Sequence, residues 1–296
     1  MDSDEEKKDG LTISDLADPN FPERLEIVRN IENSIVDFMR RPEIPVYLEA
    51  FQKVINRIIP PAIKFFSVVG EFAIKMQEAN ALRSEAYPKI IDHLNFLATK
   101  TWFVSKSLAL SDYELLAFSP ERIGMGDEAE EALDDQFVSV YNENMEYLES
   151  VLLEGFPNRA FAIGPAIQAH RRGEFALSIP VFLSQADGIL LDITSAELFT
   201  SKGHISKHAQ EQMSTTPHEN WFGYFDDATW SPLSAVRPIG WSPKERREAG
   251  YSGFNRHTTM HGMDLHYASE VNSYKAFSLL CYVASVKPES EDEKSK

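Results

Sequence analysis

Apolar residues return every three or four positions through most of this chain, the spacing that lines up one face of a helix. Leu25, Val28, Ile31, Ile35 and Phe38 make the first such stripe. Arg41-Pro42 and Ile44-Pro45 close it, because the residue before a proline is pushed out of the α region. A second helix is expected from Val46 to Ile59, stopping at Pro60-Pro61, a third to about Arg83 and a fourth from Tyr87 to about Leu110. From Asp127 to Leu153 the pattern predicts one long amphipathic helix, with Phe137, Val140, Tyr141, Met145, Leu148 and Leu152 on its apolar side. Residues 158–193 read as a helical hairpin: Ala160–Ala169, a turn at Arg171-Arg172-Gly173, then Phe175–Ile193. Pro165 and Pro180 are expected to kink or interrupt its arms. A last helix runs from about Ala268 to Val286, with Cys281 as a core filler among Val271, Phe277, Leu280 and Ala284. No run of alternating strands and no internal repeat is found, so the predicted class is all-α.

The pattern fails at two kinds of place. Residues 1–20 are polar and acidic and read as a disordered leader, and residues 287–296 as an acidic tail. Residues 200–241 carry scattered Gly and Pro with a high density of aromatics: Trp221, Phe222, Tyr224, Phe225, Trp230 and Trp241. They are expected to form an irregular loop whose aromatics either pin it to the core or offer a stacking platform for bases. Ser242-Pro243-Lys244-Glu245 then starts a short helix, with Ser at the N-cap, Pro at N1 and Glu at N3, and Gly250 closes it. The domain reading is a helical region over 21–155 packed on a helical bundle over 156–286.

Composition narrows the class of protein. The chain has 296 residues, enough to bury a core without staples. A single cysteine excludes an internal disulfide and a multi-cysteine metal cluster. No stretch comes near the roughly 18 apolar residues that a membrane helix needs, and the polar start of the chain does not read as a secretory or transit signal. A cytoplasmic protein is expected. The formal charge of −17 argues against nucleic acid, since affinity for a polyphosphate comes largely from Lys and Arg. Its distribution softens that objection. Residues 127–154 alone hold ten acids and no base, while Arg237, Lys244, Arg246, Arg247 and Arg256 outweigh Glu245 and Glu248 between 237 and 261. The acidic run is either a solvated helix face or a dock for a basic protein partner.

One short segment carries chemistry: Asn255-Arg256-His257-Thr258-Thr259-Met260-His261-Gly262. On a helix His257 and His261 share one face, with Arg256 beside it. A guanidinium binds the non-bridging oxygens of a phosphodiester and the charge that develops there. An imidazole exchanges protons near neutral pH. RNA brings its own nucleophile in the 2′-hydroxyl, so neither a metal nor a cofactor is required.

This segment resembles the Arg-x(4–6)-His signature of the HEPN superfamily, in its Asn-Arg-His-x-x-x-His-Gly form. The resemblance covers about residues 160–286. It implies a small helical bundle, metal-independent endoribonuclease activity on RNA leaving 2′,3′-cyclic phosphate, and a homodimer with two motifs facing each other. It also implies a setting in antiviral defence or as a toxin. Carried onto this chain, Arg256 holds the scissile phosphate, His261 is the general acid/base, His257 orients it, and Asn255 is a supporting hydrogen-bonder. Asp187, set among Phe182, Leu183, Ile189 and Leu190, is a further supporting candidate, either partly buried or on a groove.

Other readings stay open. The motif can belong to a non-catalytic binding module, with the histidines capping carbonyls and Arg256 paired to Asp187 or Asp264. A metal site would draw on His257, His261 and His266, or on His204 and His208, but the Glu that follows the first His in helical zinc proteases is missing from both pairs.

Overall fold

A computed structural model describes residues 75, 77–124, 126, 129–199, 204–218 and 221–286. The expected leader, the helices placed before residue 75 and the acidic tail lie outside the described residues. Helix makes up 74% of the interpretable structure, with no strand among the described residues, so the protein is all-α. The chain divides into two compact units, Met1–Ala86 and Tyr87–Lys296. Of the first, residues 77–86 are helical.

The second unit begins with a 3-10 turn, Tyr87–Lys89, followed by α1 (Ile90–Thr99), α2 (Leu110–Ala117), α3 (Ser119–Ile123), α4 (Glu130–Glu143) and α5 (Met145–Gly155). Next come the hairpin helices α6 (Ala160–Arg171) and α7 (Phe175–Thr194), then α8 (His204–Gln212) and α9 (Trp221–Trp230). Two 3-10 turns, Ser231–Leu233 and Pro238–Gly240, lead to α10 (Pro243–Glu248), α11 (Arg256–Met260) and α12 (Glu270–Ser285).

The bundle is organised around α12. Every residue from Ser273 to Ala284 is buried, and a helix buried on all sides belongs in the middle of a bundle. It packs on α4 and α5 as well as on α7. Elements on both sides of residue 155 therefore share one core, and the division of the chain falls at Ala86/Tyr87 rather than at 155/156.

The polar residues of α12 have buried partners. Ser273 Oγ lies 2.7 Å from His170 Nδ1 and 2.9 Å from Ser178 Oγ, which ties α12 to both arms of the hairpin. Lys275 Nζ meets Asp134 Oδ1 of α4 at 3.0 Å.

The hairpin turns at Gly173, whose φ of +74° suits a residue without Cβ. The helices run through Pro165 and Pro180. Pro165 is exposed and Pro180 half-buried, where water can reach the backbone and a missing intrahelical donor is tolerated. By length and composition α7 is apolar enough to cross a membrane, with mean hydropathy 1.4 over its best window, which the sequence reading did not expect. Here it packs between α6 and α12 as a core helix.

The long helix expected from Asp127 to Leu153 breaks at Asn144. The Asn144 amide donates to Val140 O at 2.9 Å and to Asp112 Oδ2 at 3.0 Å, and such side-chain competition for the backbone ends α4 and reorients α5. The segment 200–241 is more regular than its Gly and Pro content predicts, containing α8, α9 and two 3-10 turns. Trp221 and Trp230 pin it to the core, both being buried. Trp221 stands edge-on to Tyr87 at 5.0 Å, and Phe225 edge-on to Tyr113 at 5.0 Å.

Candidate functional site

The site is assembled from backbone caps outward. Asn255 is fully buried, at 0% exposure. Its Oδ1 accepts from Thr258 N–H at 3.1 Å, which makes it the N-cap of α11. Its Nδ2 donates to Pro238 O at 2.7 Å, Ile239 O at 3.2 Å and Trp241 O at 3.0 Å. The amide is thus committed to fastening α11 onto the 3-10 turn at Pro238–Gly240, and it supports the site from behind.

The far end of α11 closes just as locally. Gly262 has φ +64°, its N–H bonds Thr259 O at 3.2 Å, and Met263 N–H bonds Thr258 O at 2.8 Å. This is the Schellman arrangement, which needs a left-handed residue after the C-cap. Asn255 and Gly262 therefore both have capping roles, and the chemistry rests on the three ionisable residues between them.

Those three lie together. The His257 and His261 rings face each other with centroids 4.4 Å apart. His257 is half-buried and His261 exposed. Arg256 is half-buried, with its guanidinium over the Phe199 ring at 5.2 Å. Burial holds the His257 pKa below the ordinary 6.5, and the nearby positive charges of His261, Arg256 and Arg246 push it the same way. His257 is consequently mostly uncharged at pH 7.

Among the described residues no carboxylate is paired with Arg256, His257 or His261. Asp187 Oδ1 instead accepts from Leu198 N–H at 2.8 Å. It thereby fixes the loop that carries Phe199, and so acts on Arg256 only through that ring. Asp264 Oδ1 accepts from His266 N–H at 2.8 Å within its own turn. Also among the described residues, no three His, Cys, Asp or Glu side chains converge closely enough to hold a metal ion.

The chain matches no protein-family model, no curated protein and no solved structure.

The site also gathers residues that the motif does not contain. Phe199 beneath Arg256 comes from the segment after α7, and no local sequence signal connects the two. Arg246 of α10 lies close enough for its charge to act on His257; only the local surplus of basic residues hinted at it. An apolar rim borders the cluster: Met260, Met263 and Leu265 are exposed, Leu265 at 82%. Tyr267 Oη donates to Ala176 O at 3.1 Å, which lays this loop against the start of α7, where Leu177 is also exposed.

Proposed function

We propose that this chain is a metal-independent endoribonuclease of the HEPN type, working in the cytoplasm as a homodimer. The observation that carries the reading is the arrangement of Arg256, His257 and His261: two imidazoles 4.4 Å apart beside a guanidinium that no described carboxylate neutralises. Such a group fits a phosphodiester whose own 2′-hydroxyl is the nucleophile. In this reading Arg256 binds the non-bridging oxygens and the charge they acquire. His261, exposed and able to reach a bound strand, exchanges protons with the 2′-oxygen and the 5′-leaving oxygen. His257, kept neutral by burial and by its cationic neighbours, orients His261. Met260, Met263, Leu265 and Leu177, all exposed apolar side chains near the motif, support a second copy docking beside it, since exposed apolar surface marks an interaction face.

A second reading has its own support. Asn255 and Gly262, which give the motif much of its likeness to HEPN sequences, are both accounted for by helix capping. The same segment then serves a non-catalytic module that binds RNA or a nucleotide phosphate. RNA cleavage in excess EDTA separates the two. Cleavage that leaves 2′,3′-cyclic phosphate and disappears in Arg256→Ala and His261→Ala supports the ribonuclease. Unchanged cleavage in His261→Ala removes it, and binding without cleavage selects the module.

A further inference from the structure

Of the four tryptophans, Trp102, Trp221 and Trp230 are buried in the core. Trp241 is not. It is half-buried and stands outside both the core and the shell of residues packed on it. Its indole meets the Tyr251 ring edge-on at 5.6 Å, and Tyr251 likewise stands outside that shell. Arg246 completes the group, its guanidinium 5.9 Å from the centre of the Tyr251 ring.

This group is joined to the candidate site on two sides. The carbonyl of Trp241 accepts from Asn255 Nδ2 at 3.0 Å, one residue before Arg256. Arg246 Nη2 donates to Gly253 O at 3.5 Å, and its charge bears on His257. Arg246 also has a buried Nε with no hydrogen-bond partner.

We infer that Trp241, with Tyr251 and Arg246 behind it, is a base-stacking subsite that makes the protein select single-stranded RNA. The inference rests on the proposed ribonuclease reading and extends it to substrate class. A half-exposed indole offers a π-face to any base. The Arg246 guanidinium, 5.9 Å from the Tyr251 ring that the indole meets, attracts the adjoining phosphate, the combination by which proteins hold unpaired strands without reading their sequence. In a duplex the bases are stacked on each other and give that face nothing. A strand with one base on Trp241 runs past Arg246 toward His257, so the phosphate presented to Arg256 belongs to an unpaired nucleotide.

The test uses the full chain with His261→Ala, so that RNA is bound without being cut, and two probes of equal length: fluorescein-labelled oligouridine and a blunt RNA duplex. Trp241→Ala and Trp241→Leu in this background are expected to weaken oligouridine binding about 10-fold. Trp241→Phe is expected to keep most of the affinity, and all three should leave the weaker duplex binding unchanged. Leu fills much of the indole's space without a π-face, so the Leu and Phe variants separate stacking from packing. Equal oligouridine affinity in Trp241→Leu and its parent overturns the inference while leaving the ribonuclease reading intact. Equal losses on duplex and single strand overturn the selectivity. A parent that binds and a wild type that cuts neither probe overturn the ribonuclease reading while the subsite stands on the variant series; no binding at all overturns both.

Discussion

Lys275 of α12 and Asp134 of α4 form an ion pair at 3.0 Å in which the lysine side chain is only 7% exposed. Asp134 Oδ1 also accepts from Trp102 Nε1–H at 2.6 Å, and the Lys275 ammonium lies 5.4 Å from the centre of the Trp102 ring. One carboxylate oxygen thus serves a buried cation and a fully buried indole. Removing one partner of a buried pair leaves an uncompensated charge, whereas replacing both by apolar groups is far milder. Asp134→Ala is expected to destabilise the fold by about 3 kcal/mol, and Asp134→Leu/Lys275→Met by clearly less. Urea denaturation of both variants decides it: a double variant as unstable as Asp134→Ala would remove the pairing argument.

Asn255 does two jobs, and two substitutions separate them. Asn255→Ala loses the cap and leaves two buried carbonyls and the half-buried one of Trp241 short of a donor; caps and buried hydrogen bonds are each worth about 1 kcal/mol, so a loss of about 2–3 kcal/mol is expected. Asn255→Asp keeps the capping oxygen and turns the donor nitrogen into an acceptor facing Pro238, Ile239 and Trp241. It should be at least as damaging as Ala. If thermal denaturation shows Asn255→Asp near wild type, the tie to the 3-10 turn contributes little.

His170 is 5% exposed in an aromatic setting, and burial lowers its pKa to about 4. In the unfolded chain it titrates near 6.5. Between those values the unfolded state binds the proton and the folded state does not, so stability falls as pH drops from 6.5 to 4 and is fully present above 6.5. The contribution amounts to about 3 kcal/mol. Chemical denaturation at several pH values, on wild type and His170→Gln, should show a shallower slope in the variant across that window. Identical slopes would assign the acid sensitivity to other groups.

For His257 the expected signature is an imidazole titration midpoint below 6.5, set first by burial and then by its cationic neighbours. His261→Gln should move the midpoint up, and Arg246→Gln should move it the same way by less. Proton NMR of the ring C–H signals reads this directly, whatever the activity. A midpoint at or above 6.5 in the wild type would contradict the neutral partner on which the proposed proton exchange depends.

What could be read from sequence divides by the range of the interaction. The hairpin turn at Arg171-Arg172-Gly173 and the helix start at Ser242 rest on neighbours within a few residues. The latter is present as a full capping box, Ser242 with Glu245. The break at Asn144 was hidden because half of its cause, Asp112, lies on another helix. The helices within 200–241 were hidden because tertiary packing of Trp221 and Phe225 against Tyr87 and Tyr113 outweighs a Gly- and Pro-rich composition. At the site, the shared face of His257 and His261 was legible from their spacing. Phe199 beneath Arg256 was not, since only the folded path from Asp187 through Leu198 brings that ring under the guanidinium.

The caps on α11 have an implication for how this segment tolerates change. Asn255 and Gly262 define the helix from outside, and Thr258 and Thr259 are its buried interior. Among the described residues, positions 256, 257 and 261 make no side-chain hydrogen bond that holds the segment in place. The proposed reactivity would thus sit on a scaffold held by other residues. In the proposed reading, substitution at the exposed His261 would yield a protein that purifies and melts like its parent, and a lineage could gain or shed the chemistry there without passing through an unfolded intermediate. In that reading a sound fold is no guide to activity; only the reaction itself would tell an active copy from an inactive one.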